Sequence, residues 1–272
     1  MDVLIVGGGS MGTWFGSAVD ATIAYTDIDP DAAADAAAAT NGRVADLENE
    51  GGYDAVCLAV PMAHVGEAVA EYAPVAERAI LDVSGVMAAP IEAMNAHASD
   101  IERVSLHPLF APERAPGTVA VVREANGQTT ERLLEDLTAA GNDLLETTVA
   151  EHDEAMETIQ ARTHAAILAF ALAAREVPDG FETPVYDGIE DLAKTVTGGT
   201  PHVYGEIQRT FDGADAVADA AAQIAEADGE EFERLYESIA ERWREDTTPG
   251  SVADRDRTAD AADASHEGGD PE

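Results

Sequence analysis

Short apolar runs and alternations set the rhythm of the first half of this chain. The pattern predicts strands over residues 3–6, 22–26, 54–60, 78–83, 103–107, 118–123 and 143–147. Residues 30–40, 64–72 and 129–140 keep helical spacing, and Pro30 stands where a first helical position tolerates proline. Near-continuous apolar strands alternating with helices predict a sheet covered on both faces, an α/β doubly wound and mostly parallel domain over residues 1–148. The pattern then changes. Residues 151–175 contain no glycine or proline, and Met156, Ile159, Thr163, Ala166, Ile167 and Phe170 recur at three- and four-residue steps, which predicts one long helix. Its second half, HAAILAFALAA, carries few charges on any side and is expected to be buried all round, inside this domain or against a partner subunit. Helices over 188–197, 201–210, 214–227 and 230–244 complete an all-α second domain at 149–246. Residues 247–272, rich in Asp, Ala, Gly and Ser, are expected to be disordered.

The stretch that organises the first domain is MDVLIVGGGSMGTWFG. An apolar strand runs directly into Gly7, Gly9 and Gly12, the GxGxxG spacing of a dinucleotide-binding turn. Gly7 permits a tight exit from the strand, Gly9 lets the backbone approach a pyrophosphate, and Gly12 lets the next helix lie close to the sheet. The pyrophosphate would rest on the amides of Gly9, Ser10 and Met11 at the positive end of that helix. Asp27 follows Gly7 by twenty residues and ends the second strand, where a carboxylate accepts hydrogen bonds from ribose hydroxyls. No Arg or Lys lies between Asp27 and Ala39 to neutralise a 2′-phosphate, so the expected cofactor is NAD on a Rossmann domain. The strand over 54–60 closes with Val60 and Pro61, expected to turn over the cofactor at the carboxyl edge of the sheet.

Two of the seven histidines stand in distinctive settings. His107 ends a strand at the edge where the nicotinamide is expected, and His164 lies in the long helix. His64, His97, His152, His202 and His266 read as surface or capping positions, with His152 opening the long helix beside Asp153. In this order, VGGGSMG, YTDIDP, LAVP, LDVSGVM, HPLF and RTHAAILAFAL resemble the prephenate dehydrogenases, enzymes of tyrosine biosynthesis related to arogenate dehydrogenases. The resemblance runs over residues 1–208 and implies a cytoplasmic enzyme, dimeric through its helical domain. It further implies oxidative decarboxylation, in which a hydride passes from the ring carbon bearing the hydroxyl to NAD and carbon dioxide departs. By that pattern His107 would accept the hydroxyl proton, a task suited to a neutral imidazole, and His164 would bind or orient the substrate.

The chain departs from the family pattern at three places. The family's Asp-x-x-Ser-Val-Lys becomes Asp82, Val83, Ser84, Gly85, Val86 and Met87, so the lysine is absent and the hydroxyl at Ser84 is displaced by one position, from which it is still expected to act on the substrate hydroxyl or His107. A histidine three residues before the helix histidine is replaced by Ala161. The arginine that would hold the substrate side-chain carboxylate has no counterpart in YDGIEDLA, leaving Arg162, Lys194 and Arg114 as substitutes. The sequence leaves open prephenate or arogenate as substrate. It also leaves open another two-domain reductase of the imine or pyrroline carboxylate kind, or a dinucleotide sensor without catalysis.

Composition adds one constraint. There are 54 Asp and Glu against 15 Lys and Arg, for a formal net charge of −39, and Lys194 is the single lysine. Residues 248–272 hold only seven acids and two arginines, so the acidity covers the folded body. Such a polyanion excludes binding to nucleic acid or an anionic membrane, and the one cysteine, Cys57, excludes an intramolecular disulfide. No apolar run approaches the roughly 20 residues needed to span a bilayer, and the first residues lack the basic region of a signal peptide. Self-repulsion on this scale points to a salt-rich cytoplasm, such as that of a halophilic archaeon. The thermal unfolding midpoint is therefore expected to climb steeply as KCl is raised from about 0.1 M to 1 M and the Debye length shrinks from about 10 Å to about 3 Å. A midpoint indifferent to salt would contradict this reading.

Overall fold

Strand β1 (Asp2–Val6) is the hinge of a single sheet, in a computed structural model that describes residues 1–48, 51–178 and 180–245. It pairs in parallel with β2 (Thr22–Thr26) on one side, and β2 pairs with the two-residue β3 (Arg43–Val44). On its other side the order continues through β4 (Tyr53–Leu58), β5 (Ala76–Asp82), β6 (Glu102–Pro108), β7 (Thr118–Ala125) and β8 (Asp143–Glu146). β4, β5 and β6 run parallel to β1, β7 runs antiparallel to β6, and β8 runs parallel to β7. The chain leaves β1 in one direction and returns to β4 in the other, so the crevice at the carboxyl ends of β1 and β4 is the topological switch point of a mostly parallel, Rossmann-like sheet.

Side chains alternate across the sheet and each face is capped by helices. Val3 and Ile5 pack with Trp14 and Phe15 of α1 (Ser10–Ala18) and the alanines of α2 (Pro30–Thr40). Leu4 and Val6 pack on the opposite face with Val65 and Val69 of α3 (Val65–Tyr72) and Ile91 and Met94 of α4 (Ala88–His97). Leu133, Leu134 and Leu137 of α5 (Gln128–Ala139) return to the first face. Each such large side chain contributes about 1.5–3 kcal/mol by leaving water, which fixes both layers on the sheet. Glycine at the N-terminus of α5 makes room for a capping group from elsewhere. A Cβ at Gly127 would fall 2.2 Å from Glu102 Oε1, and the Glu102 carboxylate accepts from the Thr129 and Thr130 amides at 3.2 and 2.7 Å. β6 is thereby anchored to the first turn of α5.

The predicted strands and the helices over 30–40, 64–72 and 129–140 are present with ends shifted by a few residues. Two elements were not anticipated. β3 is too short and too exposed to leave a pattern, and α4 is masked by Pro90, which sits in its first turn where its missing N–H costs no hydrogen bond.

The long helix is continuous from Val149 to Ala173, but as α6 (Val149–Met156), a π-helical stretch (Glu157–Arg162) and α7 (Thr163–Ala173). Its second half is not buried all round within this chain. Ile167 packs with Ala193 and Val196 of α8 (Pro184–Thr197), while Leu172 on another face is 89% exposed. α8 starts earlier than expected because Thr183 caps the Tyr186 amide and Pro184 fits the first turn. α9 (Pro201–Thr210) follows. These elements belong to one compact unit, Met1–Ala214. In the second unit, from Asp215 onward, lie most of α10 (Gly213–Glu226) and α11 (Gly229–Glu245). The expected disordered tail at 247–272 lies outside the described residues. No helix among the described residues is long and apolar enough to cross a membrane.

Candidate active site

The glycine turn has the geometry its spacing requires. Gly7 has φ +109°, and a Cβ there would stand 2.2 Å from the Ala59 carbonyl oxygen; a Cβ at Gly12 would stand 2.0 Å from the Gly7 carbonyl oxygen. Both positions exclude a side chain, whereas nothing lies within 4 Å of a Cβ at Gly9. That open face adjoins the start of α1, which has no side-chain cap, leaving the Ser10 and Met11 amides for an anion. Asp27 is held against the turn, its Oδ2 accepting from the Gly8 amide at 2.7 Å and its Oδ1 from the Asp29 amide at 2.8 Å. A dinucleotide pyrophosphate on the amides and a ribose on Asp27 fit this cradle. Val60 and Pro61 lead from β4 into a turn over Met62–His64, where the amides of Met62 and Ala63 each donate at 3.3 Å to Glu206, a buried carboxylate of α9.

At the same sheet edge, three strand spacings or about 14 Å from β1, β6 ends in His107. Its imidazole is 6% exposed and sits in a chain of hydrogen bonds. His107 Nδ1 lies 2.8 Å from His152 Nε2, and His152 Nδ1 lies 2.8 Å from Asp153 Oδ1. On its other side, His107 Nε2 is 3.2 Å from the Gln160 Nε2 amide, and a Cβ at Gly85 would come within 3.3 Å of it. Burial, and the neighbouring His152, push the His107 imidazolium down to about 3, so the ring is neutral at physiological pH.

The end of β5 lies beside this ring. Asp82 is fully buried, its Oδ2 accepting from the Ser84 hydroxyl at 2.6 Å and the Ser84 amide at 3.0 Å, while its Oδ1 has no partner among the described residues. Burial raises the Asp82 carboxyl to about 6 against the opposing hydroxyls of Ser84 and Ser105. Ser84, predicted to act on substrate, thus spends its hydroxyl on Asp82 rather than on His107. The position a family serine would hold is Gly85, whose φ of +88° disfavours any side chain. Met87, where the family has lysine, is fully buried in the core against α3 and α4.

His164 lies one turn beyond Gln160 along the helix that reaches His107. Its ring is half-buried edge-on to Tyr204 at 4.7 Å between centroids, and its Nδ1 is buried without a partner among the described residues. Desolvation lowers its basicity. Ala161, in place of a family histidine, is fully buried where Gly213 touches its backbone, which leaves no room for a ring. Of the three candidate cations, Arg162 is paired with Glu157 and Lys194 with Glu190 at 2.7 Å, both on their own helical surface, while Arg114 is exposed in the turn after HPLF. A cavity of about 680 Å³ opens beside the site, lined in part by Met62, Val86, Asp153, Glu206 and Arg209.

Sequence reasoning missed His152, Asp153, Gln160 and Asp82. A signal existed, since His152, Met156, Gln160 and His164 recur every four residues and mark one stripe of the helix. His152, read as a surface or capping position, is instead 3% exposed.

The opposite shifts of His107 and Asp82 carry a stability signature. Near pH 5 the unfolded state binds the proton that buried His107 refuses, and the folded state holds the proton that Asp82 retains, so the two contributions cancel. In Asp82→Asn only the histidine remains, and stability relative to wild type is expected to rise with pH by up to about 1.4 kcal/mol per unit around pH 5. In His107→Asn only Asp82 remains and the slope reverses. Denaturant unfolding from pH 4 to 6.5 measures both, and parallel curves for all three proteins would refute the assignment.

Comparison with known proteins agrees with this geometry. Residues 17–126, from α1 through β7 and including Asp82 and His107, match the family model for the prephenate dehydrogenase nucleotide-binding domain. A 4-amino-4-deoxyprephenate dehydrogenase of Streptomyces pristinaespiralis is 31% identical over 205 residues, which is 68% of this chain and 69% of that protein. Among solved structures, prephenate dehydrogenase of Aquifex aeolicus with hydroxyphenyl propionate and NAD⁺ superposes with a TM-score of 0.67 at 17% identity, over 90% of this chain and 98% of that one. Arogenate dehydrogenase of Synechocystis gives 0.58 at 16% identity, over 90% and 99%. With a nucleotide-binding sheet, a buried histidine at its carboxyl edge and a relative above 30% identity across two thirds of its length, this chain belongs to the prephenate dehydrogenase family of oxidoreductases.

Proposed function

We propose that this protein catalyses the NAD-dependent oxidative decarboxylation of prephenate to 4-hydroxyphenylpyruvate, in the cytoplasm and in the service of tyrosine biosynthesis. The observation that carries the reading is the neutral, buried His107 at the same sheet edge as the open glycine turn. In this reading the sheet of residues 1–148 binds the cofactor, and the helices between 149 and 210 cover the substrate. Gly7, Gly9, Ser10, Met11 and Gly12 cradle the pyrophosphate, Asp27 holds the adenosine ribose, and Val60 and Pro61 close over it. NAD, when bound, supplies the hydride acceptor.

His107 Nε2 accepts the hydroxyl proton as the carbonyl forms at the ring carbon that gives up hydride. The same nitrogen returns that proton to the ring oxygen as carbon dioxide leaves and the ring becomes aromatic, so no net proton is released. His164, with Nδ1 buried and without a partner among the described residues, offers a polar contact to the substrate. Arg162 and Lys194 would have to leave their carboxylate partners to bind it, which favours the exposed Arg114 or the cavity's Arg209 as the carboxylate anchor. A second reading, oxidation of 4-amino-4-deoxyprephenate, is favoured by the Streptomyces relative.

The exposed Leu172, Val185 and Leu192 of α7 and α8 support pairing with a second copy, and, taken by itself, so does the exposed set Phe232, Tyr236, Ile239 and Trp243 of α11. A monomer in molar salt by light scattering would contradict that part. For the activity, NADH formation is expected in molar KCl with prephenate and not with arogenate or 4-amino-4-deoxyprephenate. Turnover of only one of the latter moves the substrate and keeps the class, and turnover of none supports a sensor. His107→Asn is expected to lower kcat by about 10² to 10⁴ while NAD affinity holds. Full activity in that variant would remove the proposed base.

A further inference from the structure

We propose that His152 and Asp153 form a proton store for the reaction, taking the positive charge from His107 while substrate is oxidised and giving it back before product leaves. The inference rests on the reading of His107 as the base and extends it to two residues that act through that ring.

The argument starts from the carboxylate. Ionised Asp153 only accepts hydrogen bonds, so at 2.8 Å it fixes the proton of His152 on Nδ1. His152 Nε2 is then a lone pair, and the ring 2.8 Å away must donate to it from His107 Nδ1. That leaves His107 Nε2 as the lone pair, the nitrogen that faces Gly85 and receives the Gln160 amide at 3.2 Å. One carboxylate thereby sets two tautomers in series and leaves a basic nitrogen at the far end.

Tautomer alone is not enough, because a cation confined to His107 is disfavoured by burial. The second imidazole resolves this. As the substrate O–H bond breaks and an N–H bond forms at His107 Nε2, the His107 Nδ1–H bond breaks and a new N–H bond forms at His152 Nε2. His107 ends neutral, and His152 ends as an imidazolium with both nitrogens protonated, against the Asp153 carboxylate. When the ring carboxylate departs as carbon dioxide, the ring oxygen takes the proton from His107 Nε2. In the same movement His152 Nε2 returns its proton to His107 Nδ1, so His107 is never left without a proton and the chain is reset. The His152 side chain is 1% exposed and that of Asp153 30% exposed, so the charge sits at the wet end of the chain, where the cavity begins. Other charged groups facing this end are buried Asp82, acting on His152 from β5, and Glu154, Glu157, Glu206 and Arg209 around the cavity.

Asp153→Asn tests the store, since it keeps the shape and removes the charge. Prephenate, arogenate and 4-amino-4-deoxyprephenate are each assayed with NAD in molar KCl. With the substrate that turns over, kcat is expected to fall on the order of 10²-fold at neutral pH. KM for substrate and NAD should stay within about threefold, the deficit should narrow as pH rises, and Asp153→Glu should recover most of the rate. Nitrogen-15 spectra of the histidine-labelled protein without NAD should show His107 and His152 protonated on Nδ1 alone, with His152 losing that preference in Asp153→Asn. His152→Gln, if it folds, should match the kinetic loss. Wild-type kcat and pH profile in Asp153→Asn, with His107→Asn inactive, overturns the store and leaves the base intact. An active His107→Asn overturns both.

Discussion

A single neutral imidazole held out of water is the constraint on which the site depends. His107 is placed by the pairing of β6 with β5 and β7, which puts its ring at the carboxyl edge of the sheet. Around it the protein supplies little charge: a glycine in a left-handed conformation, a glutamine amide and a second histidine. Burial of a basic group without a compensating anion favours its neutral form, and a neutral imidazole with an available lone pair is a proton acceptor. The neighbouring Asp82 obeys the same physics with opposite sign, holding its proton up to about 6.

The helix that covers this ring is shaped for the purpose. α6 brings His152 to His107, and the π-helical turn that follows directs Gln160 to the same ring before α7 carries His164 onward. A π turn widens the backbone spacing and gives up regular hydrogen bonding, a departure found most often where a side chain must be aimed. Glu206 makes a matching connection from α9, accepting two amides of the turn after Pro61, so the loop expected over the cofactor is tied to α9.

Much of the sheet and of the helices that cover it was legible because its physics is local and periodic. Apolar strands and the glycines of the turn each have one structural meaning, and the observed contacts of Gly7 and Gly12 are those the spacing demands. The helical half was legible as helices and less so as a site. Nothing in a local window says that His152 faces β6 across 45 residues, or that Ser84 turns to Asp82 instead of outward. Those are decided by tertiary register. The four-residue stripe from His152 to His164 was the one readable trace, and it was hidden because three of its four members, His152, Gln160 and His164, are polar where a search for amphipathic helices looks for apolar residues. The same blindness applies to the apolar second half of α7, whose exposed Leu172 shows how a run rich in Ala and Leu can have a face that this chain leaves uncovered.

The most direct test of the account is a crystal structure with NAD⁺ and 4-hydroxyphenylpyruvate bound. The account requires His107 Nε2 within hydrogen-bonding distance of the ring oxygen, about 2.6–3.2 Å, and the carbon that carries that oxygen facing a nicotinamide whose pyrophosphate lies on the Ser10 and Met11 amides. A ligand ring bound elsewhere, with Gln160 still closed over His107, would contradict it.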